Sequence, residues 1–175
     1  MSVAVQATQP RTVPEMGLPP GDPTYEGFQW FVANIMNVPF PSIPDNSWLQ
    51  VAYDQSINLA YWGLQTVPSQ PTSPSIYAFA VYNLGCAFLL EFAQDDPTVQ
   101  PPQTFWTDLR NNLNINSFMF GLVNAAADQG TSQSSYIPEQ IQGMTLMDLQ
   151  LAKSPWGRAY LMFAGQWGAI WGLTI

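Results

Sequence analysis

The chain has 175 residues, enough for one domain with a substantial core and too few for two comfortable ones. Only 9% of residues are charged against 47% hydrophobic and 14% aromatic, so the solvated surface of a solitary globule is hard to assemble, and some apolar surface is expected to be covered by another chain. Four basic residues against twelve acidic ones give a formal charge of −8, which excludes a nucleic-acid grip built on phosphate neutralisation; the absence of histidine excludes the usual catalytic triad and every histidine-ligated metal site.

Residues 1–22, "MSVAVQATQPRTVPEMGLPPGD", are interrupted by prolines, show no charged-then-apolar leader pattern, and read as an extended N-terminal arm. The helical domain is expected over 23–165 and a C-terminal arm over 166–175. Pro23 and Thr24 open the first helix, predicted over 24–37, where Phe28, Phe31, Val32, Ile35 and Met36 follow the spacing of a buried stripe before Pro39 and Pro41 end it. A second helix starts behind the capping candidates Asp45, Asn46 and Ser47. Leu49, Tyr53, Ser56, Ile57, Ala60 and Leu64 share one face, while Trp48, Val51, Leu59 and Trp62 make its other sides apolar, the pattern of a helix sandwiched by its own domain or by a neighbour.

After the Pro/Ser loop "TVPSQPTSPS", Pro74 leads into the most hydrophobic stretch, Ile76 to Ala93. Its apolar run includes Asn83 and reaches Glu91 short of the ~20 residues a membrane span needs, and no Lys or Arg flanks it, so it reads as the central core helix. "TFWTDLRNNL" is a short amphipathic helix with Thr104 as its cap candidate and Asp108 near its positive end. "SFMFGLVNAAADQGTSQSSYIP" fits either a helix through Ala127 or a hairpin with Asp128-Gln129-Gly130 at its tip. Thr145 and Asp148 form a capping-box pair for a helix reaching about Leu151. Ser154-Pro155 then starts the last helix, with Trp156, Tyr160 and Phe163 on one stripe; Gly165 and Gly168 loosen it ahead of an arm, "QWGAIWGLTI".

No enzyme signature emerges. Cys86 sits in "NLGCAFLL", where a buried structural thiol is the expectation, and Asp95-Asp96 reads as a solvated turn rather than a catalytic carboxylate pair. The glycines are dispersed and do not form a phosphate loop before Lys153. Catalytic, cofactor and metal sites are therefore all expected to be absent. What remains is surface: aromatic, Met and Arg side chains, the residues that anchor protein interfaces, gather in the last third of the chain. The candidate interface residues are Trp156, Arg158, Tyr160, Trp167, Ile170, Trp171, Leu173 and Ile175. Against this stands the plain alternative that Trp156, Tyr160 and Phe163 simply close the core.

Four stretches, "FQWFVANIMNVPFPSIPDNSWLQVAYDQSINLAYWGL", "SIYAFAVYNLGCAFLLEFAQ", "GLVNAAADQGTSQSSYIP" and "LMDLQLAKSPWGRAYLMFAG", run in an order and spacing that resembles the head-to-tail adaptor, or connector, proteins of tailed bacteriophages. Their closing pattern of hydroxyl residue, Pro, aromatic, Gly and a polar or basic residue is matched by Ser154, Pro155, Trp156, Gly157 and Arg158. The resemblance implies a mainly α fold: a compact bundle of about four to six helices with a β-hairpin at about 118–137 and extended terminal arms. It further implies a homo-oligomeric ring, usually dodecameric, in the virion neck, made in the host cytoplasm. The ring would join the portal protein to tail or neck proteins and extend the channel through which DNA passes without specific binding. The competing expectation from the residues is a small helical protein holding a hydrophobic ligand, or a peripheral membrane protein.

Overall fold

The computed structural model describes residues 18–39, 43, 46–68, 72–98, 102–116, 125–128, 131–134 and 144–167. Its described residues are mainly helical, with six α-helices. The centre is α3, Ile76–Phe92, capped by Ser75, whose hydroxyl accepts from the Ala78 N–H. The sequence stretch predicted as core is buried almost all round: Ala78, Val81, Tyr82, Leu84, Cys86, Leu89 and Leu90 are each at most 1% exposed. Each large apolar side chain so buried contributes roughly 1.5–3 kcal/mol. No described helix is long and apolar enough to cross a membrane.

Helix α1, Tyr25–Asn34, lies against α3 through Phe28, Phe31 and Val32. The approach is close at Gly85, where a Cβ would stand 2.7 Å from the Phe28 ring. The predicted span of 24–37 is trimmed at both ends. Thr24 is the N-cap, accepting from the Gly27 N–H, and the C-terminus unwinds at Asn37, whose φ of 56° is the left-handed turn that asparagine tolerates. Pro39 follows two residues on.

Helix α2, Asn46–Leu59, runs antiparallel to α3: Trp48 packs on Phe92 at 5.7 Å between ring centroids, and the Tyr77 hydroxyl donates to Ile57 O near the other end. Of its expected inner face, Leu49, Tyr53, Ser56 and Ala60 are buried and Ile57 is partly so. Leu64 reaches the core by a different route, from the separate 3-10 helix Trp62–Thr66, because α2 stops at Leu59.

Helix α4, Phe105–Asn112, inserts the fully buried Trp106. Thr104 occupies the N-cap position without a side-chain bond there; the caps come instead from Asp95, whose two carboxylate oxygens accept from the Trp106 and Thr107 N–H groups at 2.8 Å. Asp95 is therefore a long-range helix cap and not the free turn residue expected. Arg110 closes the circuit by donating to Leu90 O and Ala93 O, the carbonyls left over at the end of α3.

Strands β1, Ala125–Asp128, and β2, Thr131–Ser134, pair antiparallel with Ala125 opposite Ser134 and Asp128 opposite Thr131. This short pairing does not establish the hairpin expected over about 118–137, because residues 118–124, 129–130 and 135–137 lie outside the described residues. Helix α5, Leu146–Leu151, has the capping box read from Thr145 and Asp148. The Asp148 side chain is wholly buried; its Oδ2 accepts from Thr145, and Oδ1 has no hydrogen-bond partner. Helix α6, Pro155–Trp167, then packs along α3, continuing past Gly165, so the arm expected over 166–175 begins no earlier than the end of this helix.

The other arm boundary moves as well. Residues expected to belong to a 1–22 arm already touch the bundle: Leu18 packs on the core, and Gly21 exchanges backbone hydrogen bonds with Ser73 and Ser75. Two tyrosine hydroxyls complete the strap. Tyr82 accepts from the Thr24 N–H at 2.9 Å and donates to Thr24 O, and Tyr53 donates to Pro23 O at 2.8 Å.

Candidate functional site

The segment singled out from the sequence, Ser154 to Arg158, proves to be a helix corner. Ser154 caps α6, its hydroxyl accepting from the Gly157 N–H at 2.8 Å, and Pro155 supplies the first helical residue. Gly157 is required by proximity: a Cβ there would stand 2.6 Å from the carbonyl carbon of Leu151 and 2.8 Å from its Cα. Arg158 turns back and donates to Ala152 O at 3.0 Å and Lys153 O at 3.3 Å, covering the carbonyl end of α5. The pattern that carried the family resemblance thus has a complete local explanation in the α5–α6 turn.

The candidate interface residues divide accordingly. Tyr160 is 0% exposed, with its hydroxyl donating to Leu59 O, so within this chain it is a core residue and presents nothing to a partner. The reason is the helical period: Tyr160 and the buried Ala164 face α3 together. Trp156 is half-buried against the core, and Arg158 is exposed but with its guanidinium occupied by backbone carbonyls. Trp167 is the last residue of α6. Ile170, Trp171, Leu173 and Ile175 lie outside the described residues.

The exposed apolar surface is elsewhere. Trp62 is 71% exposed, Met162 58%, Trp48 49% and Val51 43%. Trp48, Val51 and Trp62 were the side chains that made the second helix apolar on more than one face, and that redundancy was the signal available in the sequence. The structure splits this second face: Leu59 packs against the core, Trp48 and Val51 stay about half exposed on α2, and Trp62 is exposed on the separate 3-10 helix.

Among the described residues each cation is committed to backbone carbonyls. Arg110 and Arg158 bond to carbonyls at helix ends, and the Lys153 ammonium donates to Ile115 O. From Thr12 to Leu109 the chain has no Lys or Arg at all, so the only charged side chains of α1, α2, the 3-10 helix and α3 are the acids Glu26, Asp54 and Glu91. Such a surface repels phosphate. Cys86 is fully buried, and burial holds its thiol well above the usual cysteine range, the state of an inert packing group. Among the described residues no group of three or more metal-ligating side chains is gathered.

These features describe exposed aromatic side chains on an acidic helical bundle. Comparison with protein-family models, with curated proteins and with solved structures returns no match to this chain.

Proposed function

We propose that the protein is a structural subunit of a tailed-bacteriophage neck: a head-to-tail adaptor that docks on the portal as a homo-oligomeric, dodecameric ring and offers a platform to tail or neck proteins. In this reading the hairpin at about 118–137 and the terminal arms make the contacts between subunits and to the portal, and DNA passes the lumen without being held. One observation carries the proposal: the core is closed, yet Trp48, Val51, Trp62 and Met162 remain exposed on a chain with only 9% charged residues. Covering Trp62 alone removes on the order of 150 Å² from water, worth roughly 3–4 kcal/mol before the ordering cost of association. Acidic walls suit a channel through which phosphates must slide.

The test is reconstitution with a phage portal protein. Electron microscopy is expected to show a ring of this protein on the portal's outer end. Deleting residues 168–175 or introducing Trp62→Ser is expected to leave circular dichroism native and abolish the ring. A particle with no ring, or one formed equally well by both variants, refutes the adaptor role.

A further inference from the structure

The 3-10 helix Trp62–Thr66 presents an aromatic platform at one end of the bundle. Leu64 anchors it inward at 0% exposure, whereas Trp62 stands 71% exposed against the half-buried Tyr61, ring centroids 6.2 Å apart. A Trp held this way offers a large apolar face with little side-chain freedom left to lose. Hydrogen bonds fix which end this is. Gln150, just ahead of α6, bonds Glu91 at the end of α3, while Tyr160 donates to Leu59 O and Tyr77, at the start of α3, donates to Ile57 O. Helix α6 therefore runs back along α3 toward its start, where the 3-10 helix packs on both. Residues 168–175, GAIWGLTI, continue from that end of α6 and lie outside the described residues. They hold Ile170, Trp171, Leu173 and Ile175 and no charged side chain.

We infer that residues 168–175 of the same chain dock on the Trp62 platform and latch over it in the isolated protein. Two observations select this occupant. Neither side of the contact carries charge: residues 55–90 and 159–175 contain no Asp, Glu, Lys or Arg. An ionic partner finds no counter-charge in the segments that build the platform, and an apolar one strips water from no ion there. Reach is the second observation. The segment can extend up to ~26 Å against ~20 Å for all of α6, so it can fold back to wherever the 3-10 helix meets that helix. Tethering also holds its local concentration near the millimolar range, far above that of a second copy in dilute solution. Residues 1–17, by contrast, hold no aromatic side chain and carry Arg11 and Glu15. The inference does not rest on the adaptor reading, because it concerns the chain alone; in a ring, the same segment would have to leave Trp62 before reaching a neighbour.

The test is fluorine NMR of the full chain labelled with 5-fluorotryptophan. Trp62→Phe assigns the Trp62 signal, and a neutral soluble paramagnetic probe reports its exposure. Trp171→Asp and Ile170→Asp each place a charge in the segment and are expected to raise the probe-induced relaxation of Trp62 about threefold over the wild type, at unchanged circular dichroism. Either variant alone suffices if the other folds poorly. Trp48, packed on Phe92 at the far end of α3, is the internal control and is expected to keep its value. Protection of Trp62 is expected to be the same at ~20 µM and ~500 µM protein. Equal relaxation in the wild type and the variants overturns the latch. So does protection that grows with concentration, which gives the platform to a second copy, or an equal change at Trp48, which marks a general loosening.

Discussion

Gly157→Ala separates two opposed expectations for the corner that aims α6. Helix propensity alone favours alanine at an interior helical position by roughly 0.5–1 kcal/mol. The corner geometry reverses the sign. The added methyl would lie 2.6 Å from the Leu151 carbonyl carbon, where ordinary contact begins at 3.4 Å, and the neighbour is backbone that cannot rotate aside. Either α5 and α6 separate by most of an ångström or the first turn of α6 unwinds; both routes loosen the Ser154 hydroxyl from the Gly157 N–H and the Arg158 guanidinium from Ala152 O. Overpacking costs about 1–3 kcal/mol and a lost cap about 0.5–2. After subtracting the propensity gain, the net destabilisation spans about 0.5–4.5 kcal/mol and centres at ~2.5, or at that centre a fall in Tm of roughly 5–10 °C for a domain of this size. Urea denaturation followed by far-UV circular dichroism measures it. A variant as stable as the wild type, or more stable, refutes the claim that Gly157 is there for close approach.

Three further outcomes follow from the hydrogen bonds. Tyr82→Phe removes the hydroxyl that holds the strap at both Thr24 N–H and Thr24 O; it is expected to cost about 1–3 kcal/mol and to speed amide exchange at Thr24 and Gly21, with unchanged protection there contradicting the strap. Burial, with the nearby Tyr82, Asp54 and Tyr77, pushes the Tyr53 hydroxyl up to about 12 from 10.0, so the folded state holds a proton that the unfolded chain has released. Stability is then fully present below pH 10 and lost as pH rises toward 12, and Tyr53→Phe is expected to flatten that alkaline loss in denaturation profiles. Burial opposes ionisation of Asp95, but hydrogen bonds from Thr107 and Trp106 and the charge of Arg110 outweigh it and hold the carboxyl below its ordinary 3.8. Its contribution is present above that pH and fades as pH falls further; Asp95→Asn is expected to be less stable at neutrality and to show a shallower acid limb, and an unaltered limb speaks against the remote cap.

Order and type of the helices were legible because their signals are local. A long, mostly apolar run marks α3, a hydroxyl three residues before a carboxylate marks the start of α5, and Ser-Pro marks the start of α6. Helix ends were less legible where the chain leaves its helix by a left-handed asparagine, as at Asn37, or tightens into a 3-10 turn, as after Leu59. For the candidate site, sequence identified an excess of aromatic side chains, and of those the structure describes, Tyr160 closes the core, the alternative weighed for it, while Trp48 and Trp62 stay out; Ile170, Trp171, Leu173 and Ile175 lie outside the described residues.

The amino-acid sequence by itself determined a mainly helical, acidic chain with more apolar side chains than its own core uses. Only the tertiary structure decided which ones are left over. Trp62 and Trp106 both stand in short helical segments directly after another aromatic residue, yet one is 71% exposed and the other 0%. The same holds for charge: Asp95 caps a helix 11 residues ahead, and Arg110 reaches carbonyls 17 and 20 residues behind it. Periodicity records what a residue meets within a turn or two of its own backbone. Which helix end or which gap in the packing stands opposite is set by how α1, α2, α4 and α6 settle around α3, and no local pattern encodes that arrangement.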